Sequence, residues 1–504
     1  MAPTTRSQNS SLRSSPAPTS PPSSKCSLST SSASTPSKYS KQSSSSSSPP
    51  PPLPAKPRIL ILGTGWSGFT LAQRLSSSPI STTHQIVLLS PHRTMALTPL
   101  LASAACGIFD FRIAEEPVRR LGNAGQLVKY QVKVERVDLG GRRVWCRAVV
   151  GSNGNARLAA ADGVPGEKDR EGEGGEWHEG DGEFEIGYDT LILAPGSETN
   201  TFGTPGVLDC CLTMKSVQDA MRLRESILDC FELASLPVYE EAKKKELLHF
   251  VIVGGGPTGV ELAAEIDELV HGHLLRIYPD LQGLPTISVY DVADRMLGQF
   301  GEKLSEYAME KFRRRDVRVC TKREIKGFER GVMEVKDEGE VKFGVAVWCA
   351  GNKATSLVEN LDVKKSEGAM QRVFTDKWLR VLKPDKEEGI VEGVYALGDA
   401  ADIEGNALPP TAEVALQKAE WLAKHLNEIE YRKADGKGME EEGFNAYIGR
   451  KDGVVDGGGE WTGKGAWLAW RSGSLEWTRS WRRRCMIVLV WVMNKFDGRE
   501  IARR

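Results

Sequence analysis

Two short glycine runs at matched spacing carry the chemistry of this sequence. Gly63-Thr64-Gly65-Trp66-Ser67-Gly68 and Gly254-Gly255-Gly256-Pro257-Thr258-Gly259 both read G-x-G-x-x-G. Each follows an apolar run, RILIL or LLHFVIV, and each opens a helix-forming run, FTLAQRL or VELAAEI. The first glycine of such a turn permits a sharp bend and the second lets the backbone approach a pyrophosphate. The third lets helix and strand pack closely, while the helix start adds N–H donors and the positive end of its dipole. For a single copy, a tight strand–helix connection without ligand is the bland alternative; two copies weigh against it. The two runs differ in the strand that comes next. QIVLLSPHR ends at Ser90 and Pro91, where a ribose-binding acid would stand, whereas ISVYD ends on Asp291. That carboxylate suits the ribose hydroxyls of NAD and repels a 2′-phosphate, so the second turn predicts NADH over NADPH.

A third run, GIVEGVYALGDAAD, reads as an apolar strand ending in Gly398-Asp399. An acid there can hydrogen-bond the ribityl chain of a flavin, and the Ala-rich continuation opens a helix. Two dinucleotide turns plus this element are what a two-cofactor relay requires, the first turn for FAD and the second for NADH. Nine cysteines are scattered without a C-x-x-C or a zinc-like spacing. None forms a redox pair after the first glycine-rich helix, which argues against a dithiol reductase. Cys349 in VWCAG reads as a buried thiol beside Ala350 and a nucleotide-contacting Gly351. His271 and His273 form an HGH that reads as a surface turn rather than a ligand pair, and no metal is expected.

The elements that position these residues alternate. Short β-rich runs (RILIL, QIVLL, TLILA, FVIVG, ISVY) are separated by helical stretches, the pattern of parallel α/β layers. The chain of 504 residues is long enough for two or three domains. Its net charge of −1 argues against nucleic acid as a partner. Residues 1–57 are Ser-, Pro- and Thr-rich with scattered Lys and Arg and no acid, the composition of a disordered or organelle-targeting segment. Residues 151–187 and 431–442 read as polar surface insertions. From Ala466 onward, five tryptophans and nine Arg or Lys surround the apolar run CMIVLVWVM. Nine apolar residues are about half of a span, so this tail predicts a helix lying in a membrane interface. A helix packed on the protein's own core or on a dimer partner is the competing reading.

At this point the chain resembles the type II, non-proton-pumping NADH:ubiquinone oxidoreductases, the alternative NADH dehydrogenases of the fungal mitochondrial kind. The resemblance runs from Arg58 to Arg504 through GTGWSG, LSPHRTMALTPLLASAACGIFDFRIAEEPVR, LLHFVIVGGGPTGVELAAEI, YALGDAADIEGNALPPTAEVALQKAEWLAKHL and the basic tail. It implies an α/β fold of two Rossmann-like dinucleotide-binding domains plus C-terminal amphipathic membrane-anchoring helices. The expected boundaries are 58–210 with 345–430 for FAD, 211–344 for NADH and 431–504 for membrane association. It implies FAD contacts at Gly63, Thr64, Gly65, Trp66, Ser67, Gly68, Ser90 and Pro91. Thr98 and Pro99 of LTPLL, Ala194 and Gly196 after TLIL, and Gly398 with Asp399 complete that set. NADH contacts fall on Gly254, Gly255, Gly256, Pro257, Thr258, Gly259, Asp291, Ala350 and Gly351, with Glu261 at the nicotinamide side. The helix after LPPTA would line a quinone pocket at Ala412, Glu413 and Gln417.

The chain departs from the family's pattern in places. Glu413 replaces one of two quinone-site glutamines, only GFNAYIG remains of a longer segment, and the terminal FGRD has become FDGRE. A buried carboxylate at Glu413 would need pairing or protonation. No EF-hand-like loop predicts calcium regulation. The resemblance implies a peripheral enzyme of the mitochondrial inner membrane, passing electrons from NADH through FAD to ubiquinone, with a homodimer as a second use of the tail. Its rivals are a sulfide:quinone oxidoreductase-like flavoenzyme and a non-catalytic nucleotide-binding flavoprotein.

Overall fold

The computed structural model describes residues 56–122, 127–149, 183–298, 301–368, 370–384, 387–435, 478 and 481–497. All but the last two residues of the expected targeting segment, most of the 151–187 insertion and the GFNAYIG run lie outside these residues.

Two sheets organise the chain. The larger has ten strands, and its central part is parallel in the order Ile390–Ala396, Thr190–Leu193, Arg58–Leu62, Gln85–Ser90, Leu127–Asp138. The smaller has five parallel strands: Leu212–Thr213, Val345–Trp348, His249–Val253, Thr286–Tyr290 and Arg318–Cys320. In both, the strand before a glycine-rich turn lies inside, flanked on one side by the next strand in sequence and on the other by a much later one. That reversal of order opens a crevice at the carboxyl ends, where ligands of open α/β sheets sit.

The apolar runs are continuous because both faces of these strands are covered. Ile59 and Ile61 point into one buried cluster and Leu60 and Leu62 into another. Phe250 and Ile252 likewise oppose Val251 and Val253. The helix Val217–Ser235 starts with a capping box, Ser216 accepting from the Asp219 amide while Asp219 accepts from the Ser216 amide. It buries Leu223, Ile227 and Phe231.

Two details differ from the sequence reading. Val345–Trp348 pairs in register with Phe250–Val253, so the second sheet extends past the expected boundary at 344. Glu183–Gly187, assigned to a surface insertion, is a strand paired with Arg143–Ala148.

Candidate functional site

The two glycine turns are near-copies in hydrogen bonding. Gly63 N–H donates to the Leu89 carbonyl and Gly254 N–H to the Tyr290 carbonyl, both at 2.8 Å. On the other flank, Ala194 donates to Leu62 at 2.9 Å and Cys349 to Val253 at 2.7 Å. Gly63 and Gly254 have φ of 102° and 110°, and a Cβ at either would strike Ala194 or the Cys349–Ala350 peptide. A Cβ on Gly68 or Gly259 would collide with the carbonyl oxygen of Gly63 or Gly254, the close helix–strand contact of this motif. The middle glycines behave differently: no atom lies within 4 Å of a Cβ built on Gly65 or Gly256.

That open space is where a pyrophosphate fits. The helices Trp66–Ser76 and Pro257–Leu269 begin with no side-chain cap and no acid in the first turn. Their first N–H groups are therefore available to an anion. The residues fit two dinucleotides.

The second strands end in opposite chemistry. At the first turn the Thr64 and Ser90 hydroxyls share a neutral hydrogen bond of 2.6 Å, and Ser90 Oγ also accepts from the His92 amide. A cavity of about 290 Å³ opens beside them, lined by His92, Arg93, Arg119 and Tyr130. At the second turn Asp291 accepts from the Gly255 and Ala293 amides through different oxygens, each with acceptor capacity left for a ribose.

Around the first turn, Trp66 Nε1 donates to Thr98 Oγ1 at 3.1 Å, bringing the LTPLL segment to the turn. Gly398 sits against Ser67 so closely that a Cβ would meet its hydroxyl. Asp399 follows, largely buried; desolvation raises its carboxyl above the usual range, opposed by the Ser197 hydroxyl and by Lys215, Arg372 and Lys418. Ser197 Oγ donates to Asp399 Oδ2 at 3.1 Å, and Lys215 reaches both Ser197 and Asn352. Glu198–Thr199 pairs with Asn352–Lys353, so the segments leaving the two sheets meet in a short antiparallel ribbon.

Around the second turn, Glu261 is half-buried one turn into its helix, below exposed Thr258. Cys349 is a free thiol that burial pushes up to about 12, as it does Cys146, Cys211 and Cys230. None of these is a thiolate nucleophile at neutral pH. Among the described residues, no cluster of His, Cys, Asp and Glu could hold a metal. His271 instead pairs with Asp267 at 2.8 Å.

The helix Ala412–Asp435 carries the third group. Gln417 Nε2 donates to Glu413 Oε1 at 3.0 Å, and both residues are half-buried. Glu413 is thus paired and partly solvated, which meets the need for a partner that its position raises. Sequence reasoning missed Ser197, Lys215, Arg372 and Lys418. Only Lys418 left a local signal: it falls on the buried stripe Val414, Lys418, Leu422 at helical spacing.

The C-terminal helix Trp481–Asp497 divides its faces. Ile487 is fully buried in the main core with Trp491 packed beside it, Arg483 pairs with Glu116, and Asn494 donates to the Ile108 carbonyl. Trp481, Met486, Leu489 and Met493 are exposed. One face therefore packs on the protein, the alternative weighed from sequence, and the other leaves an apolar stripe outside. Among the described residues no helix is long and apolar enough to cross a membrane.

Comparison with known proteins agrees with this arrangement. Residues 57–419 match the family described as pyridine nucleotide-disulphide oxidoreductase. The chain is 32% identical over 370 residues to the external alternative NAD(P)H-ubiquinone oxidoreductase B2, mitochondrial, of Arabidopsis thaliana, covering 72% of this chain but 58% of the relative. It is 30% identical over 482 residues to the internal alternative NAD(P)H-ubiquinone oxidoreductase A1, mitochondrial, of the same plant, covering 89% and 86%. The solved structure of NDH2 from Plasmodium falciparum in complex with NADH superposes with a TM-score of 0.72 at 20% identity. That match spans 89% of this chain and all of the other, a likeness of fold.

Proposed function

Since the chain belongs to the pyridine nucleotide-disulphide oxidoreductase family, among the alternative NAD(P)H-ubiquinone oxidoreductases, we propose that it oxidises NADH and reduces a quinone through bound FAD. The chain spans just under three fifths of the first curated relative's length, so the activity rests on the site rather than on the match. The observation that carries it is the pair of open, uncapped glycine turns at the carboxyl ends of two parallel sheets, joined by the 198–199/352–353 ribbon.

Gly63 to Gly68, with Trp66 and Thr98, would hold FAD, and Asp399 would accept from its ribityl hydroxyls. When bound, FAD supplies the two-electron chemistry between nicotinamide and quinone. Gly254 to Gly259 would hold the NADH pyrophosphate on backbone N–H groups, and Asp291 would take its ribose. Ala350 and Gly351 form the floor beside that turn. Glu261 would stand at the nicotinamide side as a positioning acid. Ala412, Glu413 and Gln417 would face the quinone, the Gln417 amide holding the Glu413 carboxylate oriented. The buried thiols take no part, which weighs against a sulfide:quinone oxidoreductase-like reaction.

The mitochondrial names of the relatives and the acid-free N-terminal composition support a mitochondrial protein, on the inner membrane where quinone is dissolved. The outward stripe of Trp481, Met486, Leu489 and Met493, edged by Arg482 and Arg484, suits a bilayer surface more than a self-association face. Binding to vesicles as a monomer supports this; a salt-independent dimer that ignores vesicles opposes it.

The deciding experiment is anaerobic flavin absorbance. NADH should bleach the flavin, NADPH should do so poorly, and a soluble quinone should restore the colour. A flavin that stays oxidised under NADH sinks the reading.

A further inference from the structure

Gly196 and Gly351 occupy matched places at the two crevices, each just past a parallel strand, with φ of 77° and 69°. The residue after each is held by the same lysine. Lys215 Nζ donates to Ser197 Oγ at 3.5 Å and also to Asn352 Oδ1. Ser197 Oγ in turn donates to Asp399 Oδ2 at 3.1 Å. One ammonium therefore reaches the acid of the first site through a hydroxyl and the floor of the second site through an amide oxygen.

The main chain fixes the root of this lysine. Lys215 lies two residues past the strand Leu212–Thr213, at the carboxyl edge of the second sheet. Its amide and that of Ser216 both donate to Asp219 Oδ2, at 3.0 and 2.9 Å. Asp219 is the acid of the capping box that starts Val217–Ser235. From that base the side chain crosses to a segment of the first sheet. Backbone contacts join the same two segments: the 198–199/352–353 ribbon and the Asn200 amide donating to the Gly351 carbonyl at 3.3 Å. Trp348 Nε1 adds a bond to the Asn200 carbonyl at 2.9 Å. Lys215 extends this junction to Asp399.

Lys215 is exposed, yet the surrounding protein desolvates its ammonium and lowers its pKa, opposed by Asp399. The lysine thus lines a crevice instead of standing on open surface. As a tether alone it would add little, because exposed lysine contacts contribute little to stability. Relative position is more sensitive: a shift of about 1 Å between reacting groups can cost about a hundredfold in rate.

We propose that Lys215 is a positioning residue for transfer between the two dinucleotides, setting the floor of the NADH site against Asp399 of the FAD site through Asn352 and Ser197. This inference rests on the reading that FAD and NADH occupy those sites.

The test is anaerobic, single-turnover bleaching of the flavin by NADH, expressed per bound flavin, in holoprotein of wild type, Lys215→Met, Lys215→Arg and Asn352→Ala. Lys215→Met should keep its flavin and lower the limiting rate about tenfold to a hundredfold. Its half-saturating NADH should stay within about threefold of wild type. Lys215→Arg, which keeps the charge and the donors, should recover part of the rate. Asn352→Ala should slow wild type but add little to Lys215→Met, since both changes break one link. Lys215→Met protein with the wild-type limiting rate overturns the inference. A loss of flavin or of Tm with an unchanged rate per bound flavin makes the lysine structural and overturns it too. So does a slowed Lys215→Met whose defect Asn352→Ala does not share and Lys215→Arg does not relieve. Wild-type flavin that NADH leaves oxidised fails the reading of the two sites, and the inference falls with it.

Discussion

The two glycine turns share one backbone and differ in what their second residue touches. At the first, Thr64 meets Ser90 through neutral hydroxyls; at the second, the bare amide of Gly255 meets the carboxylate of Asp291. The backbone copies suit what two dinucleotides have in common, the pyrophosphate, as proposed above. The end of the next strand distinguishes them. Of the two strand ends, the second carries a fixed negative charge, Asp291, and the first a neutral hydroxyl, Ser90. One fold element can therefore be used twice in a chain without the ligands exchanging places.

The largest expected effects separate framework glycines from contact glycines. Gly68→Ala and Gly259→Ala force a methyl into a carbonyl oxygen, and each should cost about 3 kcal/mol or more, seen as insoluble protein or a collapsed Tm. Gly65→Ala and Gly256→Ala meet no atom and have extended φ and ψ, so stability should stay within about 1 kcal/mol of wild type. Their ligand losses should be crossed. Gly65→Ala should purify without flavin, whereas Gly256→Ala should keep its flavin and lose NADH binding. A Gly256→Ala protein lacking flavin would break the assignment of the two sites.

Lys418 sharpens the comparison through pH. Its folded pKa of about 8 lies below its ordinary 10.5, so between those values the unfolded chain binds a proton that the native chain has released. The contribution of Lys418 to apoprotein stability should therefore rise as pH climbs from 8 to 10.5, by up to roughly 3 kcal/mol, against the falling contribution of the buried thiols held near 12. Arg372, Asp402 and Asp399 are the charged groups that act on this ammonium. Denaturant midpoints of wild type minus Lys418→Met isolate the slope, and a flat difference removes the unpaired ammonium from the account.

The strand ends come next. Asp291→Asn keeps one amide contact and removes the charge, so it should cost about 1–2 kcal/mol of stability. It should also narrow the NADH-over-NADPH preference in Kd. Ser90→Ala should cost about 1 kcal/mol or less and leave nicotinamide choice unchanged, because its partner is a neutral hydroxyl. Equal effects on nicotinamide choice from both changes would contradict the division of labour.

These contrasts mark what the sequence could and could not say. Gly63 to Gly68 and Gly254 to Gly259 are legible because turn, strand and helix are adjacent in the chain and the spacing is local. Asp291 and Ser90 are legible for the same reason, each closing the next strand. The boundary expected at 344 falls short of Val345–Trp348 because the place of that strand beside His249–Val253 is a pairing across nearly a hundred residues. Arg372 and Asp402 have no local pattern at all, since their pairing exists only when distant strands align. The tail was half-legible: its Trp, Arg and apolar content announced an interface. Which stripe turned inward depended on Glu116 and Ile108, far away in sequence.

The smallest test concerns the floors of the two crevices. Gly196 and Gly351 each lie three residues past a parallel strand, with φ of 77° and 69°. A side chain at either pays the same left-handed penalty, about 1 kcal/mol. The surroundings differ: nothing lies within 4 Å of a Cβ on Gly196, whereas on Gly351 it would meet the ring of Phe202. Phe202 is itself at φ 52° and 62% exposed, held by the Asn200 side chain accepting from its amide at 2.8 Å. Its exposed ring can turn aside cheaply. Gly351→Ala should therefore cost only a few tenths to 1 kcal/mol more than Gly196→Ala. In a double-mutant cycle, Phe202→Ala should erase that excess while leaving the shared penalty. A residual excess would place the obstruction at Asn200 Cβ, 3.1 Å from the added methyl, rather than in the ring.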